Sequence, residues 1–377
     1  MNYYQKAILI LLLISNLFAQ FPKDIDKEMR IGLEYLTNYQ FDSAEVIYTE
    51  ITKKHLSEPL GWFYLMETKL EKFKYENEFE QANILLENEI DMISELFKNK
   101  LEEQPRNVIY LVYYGSFNGL SAEVNLSKGN YITAFKSGRK SIKLVEKAHE
   151  IDSQYYDLFL PLGSYDFYGG VLADNYSVVD LIYDSETKRK QGIEKLTIAF
   201  EKGVGAKWEA GRILLLIHLH ETRDYEKAFE IGEKLVEKFP HNLEYKSLFI
   251  ELLIYMNKIE RAENMLEKYL ISHKNISASG KKMWEVREKY LSAVMNMQKG
   301  NYENSIKLFK FVIENYNLEF QWFKVLAYLK IGQIYDLKNN RELAKKYYKL
   351  AIDTKETTRG VSEAKKYLEL PFRKSKK

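Results

Sequence analysis

His218 and His220, in the run LLLIHLHE, are the residues of this chain whose type first suggests a metal or acid–base centre. On a helix, residues two apart point about 200° away from each other, so the two imidazoles cannot share one ion. No third ligand stands at helical spacing and no HExxH occurs; a partly buried or groove-lining histidine is the better reading. Ser279-Gly280-Lys281-Lys282 has the ending of a phosphate-binding loop. Asn275 stands where the first glycine of such a loop belongs, and Lys282 replaces the hydroxyl residue that would hold magnesium. Asp166, Asp174, Asp180 and Asp184 lack the alternate-residue spacing and fixed glycine of a calcium loop. There is no GxSxG elbow. Other carboxylates fall beside lysines three or four residues away, as in Glu226 to Glu230 and Glu233 to Glu237, the pattern of solvated helix ion pairs. Without cysteine there is no thiolate nucleophile, disulfide or cysteine-ligated metal. The chemistry on offer does not assemble, and the expectation is a chain that is not an enzyme, with no metal and no cofactor.

The elements that carry these residues read as helices. Prolines number 6 in 377 residues, while Leu, Lys, Glu and Ala abound, which suits long helices. That length allows two ordinary domains or one array of stacked hairpins. Charged residues make up 29% with a net charge of only +2, so no global field argues for nucleic acid. Residues 1–19, MNYYQKAILILLLISNLFA, place one lysine before an apolar run too short to span a membrane, the form of a secretory signal peptide. Leu17 is large for the minus-three position of a cleavage site, which keeps an uncleaved anchor open. Either way the rest is exported, and no other stretch approaches a membrane span. The leader and the many Lys, Ile, Asn and Tyr residues suggest a bacterial envelope or periplasmic protein.

Tyr328 to Ile352, YLKIGQIYDLKNNRELAKKYYKLAI, is the most regular stretch. Its spacing predicts one helix over Trp322 to Leu337, a turn at Lys338-Asn339-Asn340 and a second helix over Arg341 to Asp353. Gly332, Tyr335, Ala344, Tyr348 and Ala351 stand where small residues let two helices cross and large ones cover the gap. Gly32, Tyr35, Ala44 and Tyr48 repeat that spacing near the start, with helices near Ile25 to Asn38 and Asp42 to His55, Asp42 as N-cap and Pro59 opening the next helix. Helices over Leu60 to Glu78 and Glu80 to Glu103 follow with apolar periodicity but no signature. Residues 107–152 read as a third hairpin with Ala122 and Ala134 at the crossing and a turn at Lys128-Gly129-Asn130. Farther on, Ala228 and Ala262 stand 34 residues apart, Ser305 and Ala344 mark later units, and a short helix near Ser362 to Leu368 would cover the last apolar face.

This pattern resembles the tetratricopeptide repeat (TPR) family over most of Ile25 to Asp353. The resemblance implies an all-α fold, an α-α superhelix of antiparallel hairpins whose first helices line a groove for peptides or protein segments. The chain then divides into the leader (1–19), N-terminal hairpins (24–153), an irregular aromatic-rich insert (154–188), C-terminal repeats (189–370) and a basic tail (371–377). In the insert, Tyr155 to Asp184 hold no Lys or Arg, and Pro161 with Gly169-Gly170 argues against one continuous helix. Core packing is the simpler role for it. A docking surface or an apolar pocket through Tyr165, Phe167, Tyr168 and Tyr176 is the functional one. In the repeats, the register set by Ala228, Ala262 and Ala344 assigns Ile213, Ile217, His220, Glu251, Leu329, Gln333 and Asp336 to the groove. The Lys, Arg and Asn with which some TPR proteins grip a chaperone's terminal carboxylate are missing from these positions. The expectation is a scaffold for an unidentified protein partner, without nucleic acid; the alternative is a carrier of a small apolar or lipid-like ligand held by the insert.

Overall fold

Six turns organise the described chain, each built on one residue with positive φ: Tyr39, Asn77, Arg223, Asn257, Asn339 and Gly300. Each stands five residues before a small, buried residue, respectively Ala44, Ala82, Ala228, Ala262, Ala344 and Ser305. Glycine and asparagine tolerate this left-handed conformation, and it ends a helix by turning the last carbonyls toward following N–H groups. At Asn339, for example, the residue's own N–H bonds Asp336 O at 3.0 Å and the N–H of Asn340 bonds Tyr335 O at 2.8 Å. The same pair of bonds closes the turns at Tyr39, Asn77, Asn257 and Gly300.

The computed structural model describes residues 21–127, 131–173, 185–271, 276–316, 322–354 and 359–373. Its helices are α1 (Asp26–Thr37), α2 (Phe41–Lys54), α3 (Pro59–Tyr75), α4 (Phe79–Glu103), α5 (Val108–Ser127), α6 (Tyr131–Ile151), α7 (Phe159–Ala173), α8 (Ser185–Lys202) and α9 (Lys207–Leu216). They continue with α10 (Tyr225–Lys238), α11 (Leu243–Tyr255), α12 (Ile259–Ile271), α13 (Ala278–Gln298), α14 (Tyr302–Asn315), α15 (Trp322–Leu337), α16 (Arg341–Asp353) and α17 (Arg359–Glu369). Two short turns join them, a 3-10 turn at Tyr156–Leu158 and a π turn at Ile217–Glu221. Among the described residues there is no strand, and no helix is long and apolar enough to cross a membrane. The leader, the turn at 128–130, Tyr176, the acids Asp174, Asp180 and Asp184, and Lys374, Lys376 and Lys377 of the tail lie outside the described residues.

The expected last hairpin matches α15 and α16 residue for residue. Asp42, expected to cap α2, lies within its first turn, where it pairs with Lys72 at 2.6 Å; the cap position belongs to Gln40. The second hairpin shares the left-handed turn at Asn77 and the buried Ala82 with the others, but it has Leu70 and Leu86 where the last hairpin has Gly332 and Tyr348. Within the aromatic-rich segment, α7 runs through both Pro161 and Gly169-Gly170. Pro161 falls in the first turn, where its missing N–H has no intrahelical acceptor to lose. The glycines serve packing: a Cβ on Gly170 would stand 2.6 Å from Ser185 O, and one on Gly163 2.9 Å from Gly192 O. α6 extends far enough for its His149 ring to meet Phe159, at 5.5 Å between centroids.

The chain forms two compact units, one of Met1–Leu215 with Glu237–Asn242, the other of Leu216–Val236 with Leu243–Lys377. The first has a tyrosine-rich core: Tyr48 and Tyr64 stack at 5.3 Å, and Tyr64 shares a 3.0 Å hydrogen bond with Tyr113. Residues 237–242 close on α1 through Asn242, whose side-chain amide donates to Thr37 O at 2.8 Å, and through Lys238 with Glu34. In the second unit Tyr290, Phe309 and Phe323 meet edge to face between α13, α14 and α15.

Candidate functional site

Polar side chains from the first helix of successive hairpins converge in the second unit. Glu251 of α11 is buried, and its Oε1 accepts hydrogen bonds from the hydroxyls of Tyr255 and Tyr290, both at 3.1 Å. His220 Nε2, from the π turn, stands 3.7 Å from its other oxygen. Tyr225 stacks on Tyr255 at 5.8 Å, and the Lys330 ammonium lies 5.1 Å from the centre of the Tyr255 ring. Glu363 of α17 completes the group, paired with Arg359 at 3.2 Å and with Arg223. Burial drives the Tyr255 and Tyr290 hydroxyls well above the usual tyrosine range, reinforced by the Glu251 charge. Burial also lowers the Lys330 ammonium, only partly offset by the charges of Glu363 and Glu251. Glu251 and Tyr290 are buried at the centre of this cluster, and His220, Tyr225, Tyr255 and Lys330 are its half-buried rim.

Of the groove residues expected from the sequence, His220 and Glu251 belong to this cluster. Ile213, Ile217 and Leu329 face the core and are almost wholly buried. Gln333 is buried too. Asp336 is fully committed: it pairs with Arg341 at 3.0 Å and accepts from the Tyr348 hydroxyl and the Phe372 N–H, both at 2.8 Å. Phe167 is buried beside Gly192, whereas Tyr165 and Tyr168 are half-buried. The residues the spacing missed are Tyr255, Tyr290, Lys330 and Arg223. Lys330 lies one position beyond Leu329, so basic residues do reach this face, a residue away from the expected register. His218, two residues from His220, is buried and shares a 3.0 Å contact from Nδ1 to Thr222 Oγ1; burial depresses its pKa. Among the described residues no three His, Cys, Asp or Glu side chains gather as a metal site. Asp166 is held by Lys188 at 2.9 Å and by Lys195. Ser279 to Lys282 open α13, where Ser277 caps the Gly280 N–H at 3.1 Å.

The crossing within the hairpins decides what they are. A Cβ placed on Gly332 would stand 2.5 Å from the Tyr348 ring, and one on Gly32 would stand 2.7 Å from the Tyr48 ring. In the first and last hairpins alike, glycine on the first helix lies against the tyrosine ring of the second. These hairpins are TPR-like. No family model and no curated protein sequence matches the chain. Among solved structures it is similar to one described as a functional characterisation of Pseudomonas aeruginosa pilF, at 13% identity, covering 68% of this chain and 98% of that one, with a TM-score of 0.37. A tetratricopeptide repeat protein from Parabacteroides merdae is similar at 14% identity, with coverage of 82% and 100% and a TM-score of 0.35. Human IFIT1 solved with m7Gppp-AAAA is similar at 13% identity, with coverage of 97% and 85% and a TM-score of 0.43.

In the first unit a buried carboxylate ties two segments of the TPR-like array. Asp157 Oδ1 accepts from the backbone N–H groups of Val204, Gly205 and Ala206 at 2.9, 3.2 and 3.0 Å, just ahead of α9. Burial pushes its carboxyl up to about 6 from the ordinary aspartate value of about 3.8, against the opposing pull of these donors and of Arg30. Between those two values the folded chain holds a proton that the unfolded chain has released. The contribution of Asp157 is therefore greatest below about pH 4 and is lost as pH rises through about 6. Urea denaturation of the wild type and of Asp157→Asn from about pH 4 to about pH 7 should show the wild type losing roughly 2–3 kcal/mol relative to the variant as pH rises. A constant difference across that range would contradict the assignment.

Proposed function

We propose that this chain is a non-enzymatic interaction scaffold of the bacterial cell envelope, exported by its N-terminal leader, that binds a segment of a protein partner on the first-helix face of its hairpins. The observation that carries the reading is the convergence of His220, Glu251, Tyr255, Tyr290 and Lys330 from successive first helices. Hydrogen-bonding groups and aromatic faces along one side of stacked hairpins are what recognition of an extended or helical segment requires. The groups of this cluster bind one another and frame no nucleophile beside a base. Tyr165 and Tyr168, half-buried on α7, are the candidates for a second contact area. The close approach of α7 to α8 at Gly163, Gly170 and Gly192 leaves no space for a ligand between those two helices there.

Affinity capture from the source cell's envelope tests this with the wild-type chain and Lys330→Glu. One set of partners should be recovered by the wild type and lost by the variant, with both proteins equally helical. Recovery of the same set by both would contradict binding at this face. Cell fractionation with N-terminal sequencing tests export, with the mature chain expected to begin at Gln20; a cytoplasmic chain beginning at Met1 would refute it.

A further inference from the structure

Arg223 is where the turn pattern of the second unit departs from itself. The equivalent left-handed positions of that unit hold Asn257, Gly300 and Asn339, residue types that tolerate positive φ. Arginine at +57° gains nothing from the turn. The segment before it is also unlike the others, a π turn in which Thr222 N–H bonds Ile217 O. π turns of this kind recur at functional positions. What arginine supplies is reach: its guanidinium pairs with Glu363 of α17, 140 residues farther along. The pair closes over the cluster described above. Among the groups of this cluster, three cations, Arg223, Lys330 and Arg359, face two carboxylates, Glu251 and Glu363, which leaves one positive charge in excess. Lys330 makes no hydrogen bond or ion pair among the described residues, only its contact with the Tyr255 ring and longer-range attraction to the two carboxylates.

We propose that Arg223 and Glu363 form a clasp that holds α17 against this face, and that a partner segment gains the face by bringing an acidic side chain to Arg223 and Lys330 in place of Glu363. The proposal rests on the reading of the chain as an interaction scaffold and names the chemistry of its partner. The charge excess selects an acidic segment over a basic one. Arg223 is 42% exposed and Glu363 13%, so the guanidinium end of the pair is open to solvent and to a competing carboxylate.

The test uses the full chain as wild type, Arg223→Asn and Glu363→Gln. Arg223→Asn installs the residue that the turns at Asn257 and Asn339 use, so the clasp is removed while the turn keeps its conformation. Hydrogen–deuterium exchange in Arg359–Glu369 should rise roughly fivefold in both variants. A fluorescent hexaglutamate peptide should bind Glu363→Gln about fivefold more tightly than wild type, because no closed form competes, and should bind Arg223→Asn at least roughly tenfold more weakly. A hexalysine peptide should bind none of the three. Unchanged exchange in α17, or equal hexaglutamate affinity in the two variants, would overturn the clasp. If envelope partners are absent but the hexaglutamate pattern holds, the scaffold reading fails alone; if partners are captured and the two variants bind hexaglutamate equally, the clasp fails alone.

Discussion

Gly192→Ala should destabilise the first unit by roughly 2–3 kcal/mol, although alanine is the better helix former by about 1 kcal/mol. The reason is that the added methyl has nowhere to go. A Cβ on Gly192 would lie 2.5 Å from Phe167 N, 2.6 Å from Phe167 Cβ and 2.7 Å from Gly163 O. Two of these are backbone atoms of α7, and no rotamer change moves them. The helices α7 and α8 would have to separate, exposing Leu196 and Phe167, which are buried against this crossing. Gly138→Ala on α6 is the control, since its nearest neighbour is Ala122 Cβ at 4.0 Å; that change should be neutral or stabilise by up to about 1 kcal/mol. Urea unfolding followed by circular dichroism measures both. Equal effects of the two substitutions would mean that α7 and α8 do not cross at Gly192.

A sign reversal is expected at the other end of the chain. Gly332→Ala alone brings a methyl within 2.5–3.0 Å of Cε1, Cδ1 and Cζ of Tyr348. That ring cannot swing aside freely, because its hydroxyl donates to Asp336 Oδ2 at 2.8 Å while Asp336 is itself gripped by Arg341. The substitution should cost about 1–3 kcal/mol. Tyr348→Ala removes a wholly buried side chain and should cost about 3–5 kcal/mol. In the Tyr348→Ala background the same Gly332→Ala change should stabilise by up to about 1 kcal/mol, since the space is now open and helix propensity decides. The thermodynamic cycle measures this coupling directly. Additive effects would show that Gly332 and Tyr348 do not meet.

These glycine and tyrosine positions were legible in the sequence because the geometry that needs them is local. Two helices joined by a three-residue turn can cross closely only where one lacks a side chain, and the small–large spacing records that. In the second hairpin Asn77 and Ala82 mark the turn and one crossing position, but Leu70 and Leu86 replace the glycine and tyrosine, so apolar periodicity is the signal there. Pro161 and Gly169-Gly170 misled for the opposite reason. Each disfavours a helix in isolation, yet a first-turn proline costs little and Gly170 is used by α8, which lies beyond the segment. The face of the second unit was less legible. Glu251 and His220 followed from the repeat register, but Ile213, Ile217 and Leu329 at equivalent positions point into the core. Lys330 and Arg223 reach the cluster through long side chains, and Glu363 comes from α17, outside the repeat signature. Spacing along one hairpin cannot show which side chains from other hairpins converge.

Site-specific photo-crosslinking in the source cell tests the central claim, that the first-helix face is the recognition surface. A photoreactive phenylalanine would replace His220 or Lys330 on that face, or exposed Lys307 of α14 or Lys346 of α16 on second helices. The account predicts one discrete adduct from positions 220 and 330 and none from 307 and 346. Adducts from the second-helix positions alone would contradict it.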